Sequence, residues 1–165
     1  LLDVACGNGR FLKTVMNVWP RLKAAGLDLS PNYTDAARGR LAPWPQVEVF
    51  HEAAEAMPLP DASRDIVVSI FLFHELPPEV RAPVLAEVFR ILKPGGLFVL
   101  ADSVQFGDHD GIDGVLEYFP HGFHEPYYDS YLAWDVDAAA IGQGFVKERE
   151  SLAFLTKVTT WRRPA

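Results

Sequence analysis

The chain has 165 residues, 49% of them apolar, with 15 basic against 22 acidic side chains and a net charge of −7. That length supports one substantial core rather than two ordinary domains, and the negative balance offers no general field for nucleic acid or an anionic membrane, so neither is expected as a partner. Cys6 is the only cysteine, which excludes an internal disulfide and points to a cytoplasmic location; the longest apolar run, Ile66 to Phe73, is far too short to span a bilayer.

Leu1 to Ala5 reads as a strand already under way, and without an initial methionine the chain is expected to lack a leading segment. After a glycine turn, Phe11, Leu12, Val15, Met16 and Trp19 recur at helical spacing until Pro20. A second strand, Ala24 to Leu29, leads into Ser30-Pro31, a helix cap and first turn, and a helix with Tyr33, Ala36, Ala37 and Leu41 on its inner face. Pro43-Trp44-Pro45 breaks that helix before a third strand, Val47 to His51. Asp65 to Phe73 is apolar without alternation, as a central parallel strand should be. A helix through Val80, Val84, Leu85, Val88, Ile91 and Leu92 follows, with Pro83 implying a kink or a start near Ala82, and Lys93-Pro94-Gly95-Gly96 ends it.

A fifth strand, Leu97 to Ala101, ends at Asp102. Residues 103–126 lose all periodicity and read as an inserted loop or lid. One helix from about Tyr127 to Ile141 and two strand-like runs, Phe145 to Glu150 and Ala153 to Trp161, complete the chain as an antiparallel hairpin. The expected fold is α/β: a single Rossmann-like domain over residues 1–165, doubly wound around a mostly parallel seven-stranded sheet with a C-terminal antiparallel hairpin. Ligands would bind beyond the carboxyl ends of its strands.

Asp3-Val4-Ala5-Cys6-Gly7-Asn8-Gly9 places two glycines at a strand-to-helix turn, where a ligand can approach the backbone. Asp28, about 20 residues on at the end of the second strand, can accept bonds from ribose hydroxyls, so the pair describes a nucleoside site. The dinucleotide fingerprint fails at its third glycine, which is Leu12. Asp3 near the turn suits an ammonium or sulfonium group better than a phosphate.

These residues resemble the class I S-adenosylmethionine-dependent methyltransferases, and within them the small-molecule group similar to the ubiquinone and menaquinone biosynthesis enzymes. Leu1 to Gly9 resembles that family's first motif, with Ala5 where glycine is commoner, and Leu27-Asp28-Leu29-Ser30 resembles its ribose motif. Ala54-Glu55-Ala56-Met57-Pro58-Leu59-Pro60-Asp61 and Arg90-Ile91-Leu92-Lys93-Pro94-Gly95-Gly96 resemble the segments before the fourth and fifth strands. The resemblance implies S-adenosyl-L-methionine as cofactor. Asp3 and the backbone of Ala5, Cys6, Gly7, Asn8 and Gly9 would surround its methionine part, Asp28 its ribose and Leu29 an adenine face. Ala54, Glu55 and Ser69 complete the expected set. Ala53 stands where the family often has an acid for the adenine amino group, leaving Glu52 or Glu55 to substitute.

Methyl transfer to a small-molecule acceptor is the function implied. His74, just past the fourth strand, is the candidate catalytic base, and Asp102, His124 and Tyr127 are candidate substrate contacts. The histidines and aspartates of residues 108–124 match no defined metal spacing, and none is expected to hold a metal. A cofactor-binding module without turnover is the alternative, with a nicotinamide-dependent oxidoreductase more distant. Arg162-Arg163, the one candidate basic patch, is otherwise a solvated pair after the last strand.

Overall fold

A computed structural model describes residues 1–165. Five strands alternate with helices: β1 (Leu2–Val4), α1 (Arg10–Val18), β2 (Ala25–Asp28), α2 (Pro31–Leu41), β3 (Glu48–His51), β4 (Arg64–Ile70), α3 (Pro78–Ile91) and β5 (Leu92–Ser103). Three shorter helices, α4 (Asp113–Gly122), α5 (Tyr128–Leu132) and α6 (Val136–Gly142), precede the hairpin β6 (Val146–Ala153) and β7 (Thr156–Arg162). The strands form one sheet in the order β3-β2-β1-β4-β5-β7-β6. All neighbours pair in parallel except β7, which runs antiparallel to both β5 and β6. β4 lies fourth of seven, as its unbroken apolar run requires.

The sheet is covered on both faces. Leu2, Val4, Leu27, Val67 and Phe98 pack with Val84, Leu85, Val88 and Ile91 of α3 in the main core. On the other side, Leu12 and Met16 of α1 meet Ala37 and Leu41 of α2 over Cys6 and Ala24. Gly26 permits this close approach, since a Cβ there would lie 2.7 Å from Cys6 Sγ and 2.9 Å from Leu12 Cδ1. The strand order reverses between β1 and β4, so the crevice beyond their carboxyl ends is where this architecture binds ligands.

Several expectations are corrected. Trp19 and Ala36 are exposed, and Tyr33 turns away from the core, where Thr34 takes its place. The third helix begins at Pro78, not near Ala82. Pro83 sits inside it on the exposed side, as does Glu79, whose carbonyl the missing amide would have bonded. Lys93 to Gly96 forms a bulge within β5 rather than a separate turn, with Gly95 at φ 78°.

The segment read as an irregular lid contains α4. Gly114 and Pro120 obscure its period, and only Leu116 is buried, against Val104, Tyr128 and Leu132. The single helix expected from Tyr127 to Ile141 is two. Gln105 Nε2 donates to the carbonyls of Tyr131 and Trp134, both at 2.6 Å, and Asp135 caps α6 through Ala138 N–H at 2.8 Å. The carbonyls at the end of α5 and the amides at the start of α6 are therefore satisfied without a continuous helix.

Arg162 and Arg163 belong to the structure of the last strand. Arg162 pairs with Glu148, and the Arg163 guanidinium bonds the carbonyls of Phe89, Arg90 and Leu92 while lying 4.7 Å from the Phe89 ring centroid. No helix is long and apolar enough to cross a membrane.

Candidate functional site

The turn after β1 is held in left-handed backbone at Ala5 (φ 61°), Gly7 (φ 52°) and Gly9 (φ 76°). The glycines adopt this without strain. Gly9 N–H closes the turn on Cys6 C=O at 2.9 Å and becomes the N-cap of α1 without a capping side chain, leaving the first amides of that helix for a ligand. Arg40 of α2 fixes the outer side of the turn by donating to Asn8 C=O at 2.8 Å and to Asn8 Oδ1.

Asp28 locks the turn to β2. Its Oδ2 accepts Gly7 N–H at 2.8 Å and its Oδ1 accepts Ser30 N–H at 2.9 Å. A carboxylate has about four lone-pair directions, so each oxygen retains one free accepting position.

Two adjoining cavities open here, sharing Ala5, Gly7 and Tyr33. The larger, about 480 Å³, is walled by Asp28, Leu29, Ala54 and Glu55 on one side and by Phe71, Leu72, Glu75 and Leu76 on the other. The smaller, about 320 Å³, contains Asp3, Cys6, Asn8, Arg10, Phe11 and Ile70. Asp3 is buried and accepts no hydrogen bond within the chain. Desolvation, then the nearby charge of Asp28, pushes its carboxyl up to about 7. Burial likewise pushes the Cys6 thiol up to about 12, helped by Asp3 and Asp28, so the thiol is neutral and inert at ordinary pH.

Asp3, Ala5, Cys6, Gly7, Asn8, Asp28, Leu29, Ala54 and Glu55 therefore meet around one crevice, with Gly9 supporting it from behind. Of the two acids considered in place of Ala53, Glu55 lines the cavity and Glu52 does not. Ser69 lies elsewhere: it is fully buried in β4, lines neither cavity, and its hydroxyl has no partner. Tyr33 was placed on a helix face with Ala37 and Leu41, and Phe71 in the buried strand, yet both form cavity walls. The β4 run ends early because Phe71 turns left-handed (φ 55°), leaving its ring half exposed. Glu75 shares the position of His74 and reads as solvated, yet it lines the cavity; Arg10, Leu72 and Leu76 carried no distinguishing signal.

His74 sits in a single 3-10 turn, Phe73–Glu75, beyond β4. Its Nδ1 lies 2.6 Å from Asp102 Oδ1. Asp102 is wholly buried and also accepts the N–H groups of Phe73 (2.8 Å) and Ser103 (2.7 Å), and neither it nor His74 lines the two cavities. Burial favours the neutral imidazole, but the Asp102 hydrogen bond and charge outweigh it, with Glu75 and Glu125 adding, and its pKa rises above the ordinary value.

Arg81 of α3, 1% exposed, supports this turn without a carboxylate partner. It donates to Phe73 C=O at 3.1 Å, Tyr127 C=O at 2.9 Å and Ser130 Oγ at 2.8 Å, and lies 5.8 and 5.5 Å from the Tyr131 and Trp134 ring centroids. Its place on the inner face of a helix was a sequence signal that hydrophobic periodicity overlooks. His124 and Tyr127 are exposed and line neither cavity; Tyr127 contributes its carbonyl to Arg81. No three His, Cys, Asp or Glu side chains converge to hold a metal.

The reversed strand order, the glycine turn and the two carboxylates define an α/β protein with a nucleoside-sized crevice at its switch point. Residues 1–96 match the family model described as "Methyltransferase domain", and the chain belongs to that family. It is 32% identical over 105 residues to the demethylmenaquinone methyltransferase of Lysinibacillus sphaericus, covering 63% of this chain and 44% of that protein. It is 33% identical over 108 residues to the Listeria monocytogenes enzyme of the same name, covering 64% and 45%. The chain thus spans less than half the length of these curated relatives. A SAM-dependent methyltransferase from Aquifex aeolicus superposes with a TM-score of 0.76 at 22% identity, over 98% of this chain and 80% of that one, a likeness of fold.

Proposed function

We propose that the protein is an S-adenosylmethionine-dependent methyltransferase acting on a small-molecule acceptor. The observation that carries this reading is Asp3, a buried carboxylate without a hydrogen-bond partner beside a second carboxylate, Asp28, at two joined cavities. Two such charges repel, and a ligand bearing an ammonium and a sulfonium relieves the repulsion, whereas a phosphate would worsen it. Asp3 would face the amino group, and Arg10 with the open N-terminus of α1 the carboxylate. Asp28 would hold the ribose, and Leu29, Leu76, Ala54 and Glu55 would enclose the base.

The bound group supplies a methyl carbon activated by positive sulfur. The chain's part is to fix the donor, shield it from water and bring an acceptor to about 3 Å in line with the breaking bond. Leu12, buried against Ala37 and Leu41 where a dinucleotide site needs its third glycine, supports this reading over a nicotinamide-dependent one. A cytoplasmic location accords with the lone unpaired Cys6.

Calorimetry with S-adenosylmethionine and its demethylated product tests the cofactor assignment, and folded protein that binds neither refutes it. Transfer of a radiolabelled methyl group to small acceptors then distinguishes an enzyme from a module that only binds.

A further inference from the structure

His74 and Asp102 lie beyond β4 and at the end of β5, neighbouring strands beside the crevice. Two backbone amides and the imidazole fix the Asp102 carboxylate, and an ionised carboxylate only accepts, so the proton of a neutral His74 ring resides on Nδ1. Nε2 then carries the lone pair. It makes no hydrogen bond within the chain, and the only carboxylate oxygen within 4.0 Å is Glu75 Oε1 at 3.9 Å.

The rings of Phe71, Tyr128 and Tyr131 meet the imidazole edge to face, with centroids at 6.1, 6.0 and 6.2 Å, leaving it little freedom to rotate. Arg81 and Asp102 hold opposite sides of the Phe73 backbone, so the turn carrying His74 is fixed as well. Phe71 and Glu75, which flank His74, form part of the cavity wall. An oriented base with a free lone pair thus stands just behind two residues of the cavity wall, while its own ring lines neither cavity.

Building on the methyltransferase reading, we propose that His74 Nε2 is the general base for an acceptor hydroxyl on an aromatic or enolic carbon, and that Asp102 is its positioning residue. Nε2 takes the hydroxyl proton as the acceptor oxygen bonds to the methyl carbon. The carbon–sulfur bond breaks with its electron pair passing to sulfur, and the imidazolium later gives its proton to water.

The surroundings select this acceptor class. Asp102 from β5, Glu75 from the 3-10 turn and Glu125 from the loop before α5 face His74, and Arg81 from α3 is the cation acting on Asp102. The hydroxyls of Tyr128 and Tyr131 from α5 are held protonated, chiefly by burial. Three carboxylates resist entry of a preformed phenolate, so the acceptor arrives neutral and must lose its proton inside. A phenol, near pKa 10, is about 3 units from a histidine, a gap that transfer concerted with methylation can bridge; an aliphatic hydroxyl, nearer that of water, lies about 9 units away. Aromatic walls favour a planar molecule.

The test uses the whole chain, with S-adenosylmethionine binding first established by calorimetry. Nitrogen-15 NMR of the histidines should find His74 as the Nδ1–H tautomer, and Asp102→Asn should lower its midpoint by at least about one unit. Phenols with acidities from about that of histidine to that of tyrosine, and matched anilines, are then offered with radiolabelled cofactor. His74→Gln should slow methylation of the weakly acidic phenols by about 100-fold or more, yet by less than about 10-fold for the most acidic, which need little help in losing the proton once bound. Equal loss across the series, a preference for anilines, no phenol methylated by cofactor-binding protein, or a His74 midpoint unmoved by Asp102→Asn each overturns the proposal. Loss of cofactor binding in the unmodified chain would instead remove the methyltransferase reading beneath it.

Discussion

Asp3→Asn should make the ligand-free protein more stable while weakening its hold on the cofactor. In the unfolded chain Asp3 releases its proton near 3.8, as an ordinary aspartate does, whereas burial and Asp28 raise this to about 7 in the folded protein. The protonated carboxyl is therefore favoured by folding. Its contribution is fully present below 3.8 and is lost as pH rises through about 7. A difference of about three units, at 1.36 kcal/mol each, sets an upper bound of about 4 kcal/mol on the penalty at pH 8. Water entering the cavity reduces it, so the expected gain from Asp3→Asn is about 1–3 kcal/mol, or roughly 2–12 °C in Tm. Urea unfolding at pH 4 and pH 8 checks the sign: the variant's advantage should be large at pH 8 and nearly vanish at pH 4. Calorimetry on the same variant should show S-adenosylmethionine affinity lowered by about 10- to 100-fold, from loss of a charged partner. A variant no more stable than the parent at pH 8, or equally advantaged at both pH values, would refute the argument that Asp3 is an uncompensated charge kept for a cation.

Four further substitutions examine the scaffold. Asp28→Ala removes the acceptor of Gly7 and Ser30 N–H, and should weaken cofactor binding by about 1–3 kcal/mol in calorimetry. Gly9→Ala places a Cβ 3.2 Å from both Ala37 Cβ and Leu41 Cδ1 at φ 76°. It should cost about 2–4 kcal/mol in urea unfolding, while Gly7→Ala, with nothing within 4 Å, should cost only the backbone strain of about 1–2 kcal/mol. Arg81→Met keeps the apolar stem but strands Phe73 C=O, Tyr127 C=O and Ser130 Oγ. Hydrogen exchange should speed up at the 3-10 turn and α5 before it does in β4, and stability should fall by about 2–4 kcal/mol.

Most strands and the glycine turn with its neighbouring crevice wall were legible because each depends on local rules. The unalternating run in β4, the Ser30-Pro31 cap and the glycine turn followed by Asp28 are short-range statements about burial, backbone amides and left-handed conformation. What escaped depends on partners distant in sequence. Nothing local distinguishes Tyr33 on a helix face from a core residue, and Phe71 reads as strand until its left-handed turn is seen. α4 buries one side chain and contains Gly114 and Pro120, so neither amphipathic period nor propensity reveals it. The break between α5 and α6 rests on Gln105, which bonds Tyr131 C=O 26 residues further along the chain.

The acceptor side was least legible for the same reason. His74 stood out by position alone, but what makes it chemically useful is Asp102, 28 residues later on an adjacent strand. Asp102 was read as touching the acceptor because strand ends face the crevice. Its burial moves it one step back, spending both oxygens on His74 and two amides. That arrangement has a partial parallel across the crevice, where Asp28 holds Gly7 and Ser30 N–H with one accepting position per oxygen to spare, whereas Asp3 accepts nothing from the chain. Asp102 thus serves the scaffold alone, Asp28 serves both scaffold and crevice, and Asp3 is left wholly for a ligand. A field built from unpaired negative charge favours a cationic donor and a neutral acceptor. The base then has to come from within the fold, and His74 is the group placed to supply it.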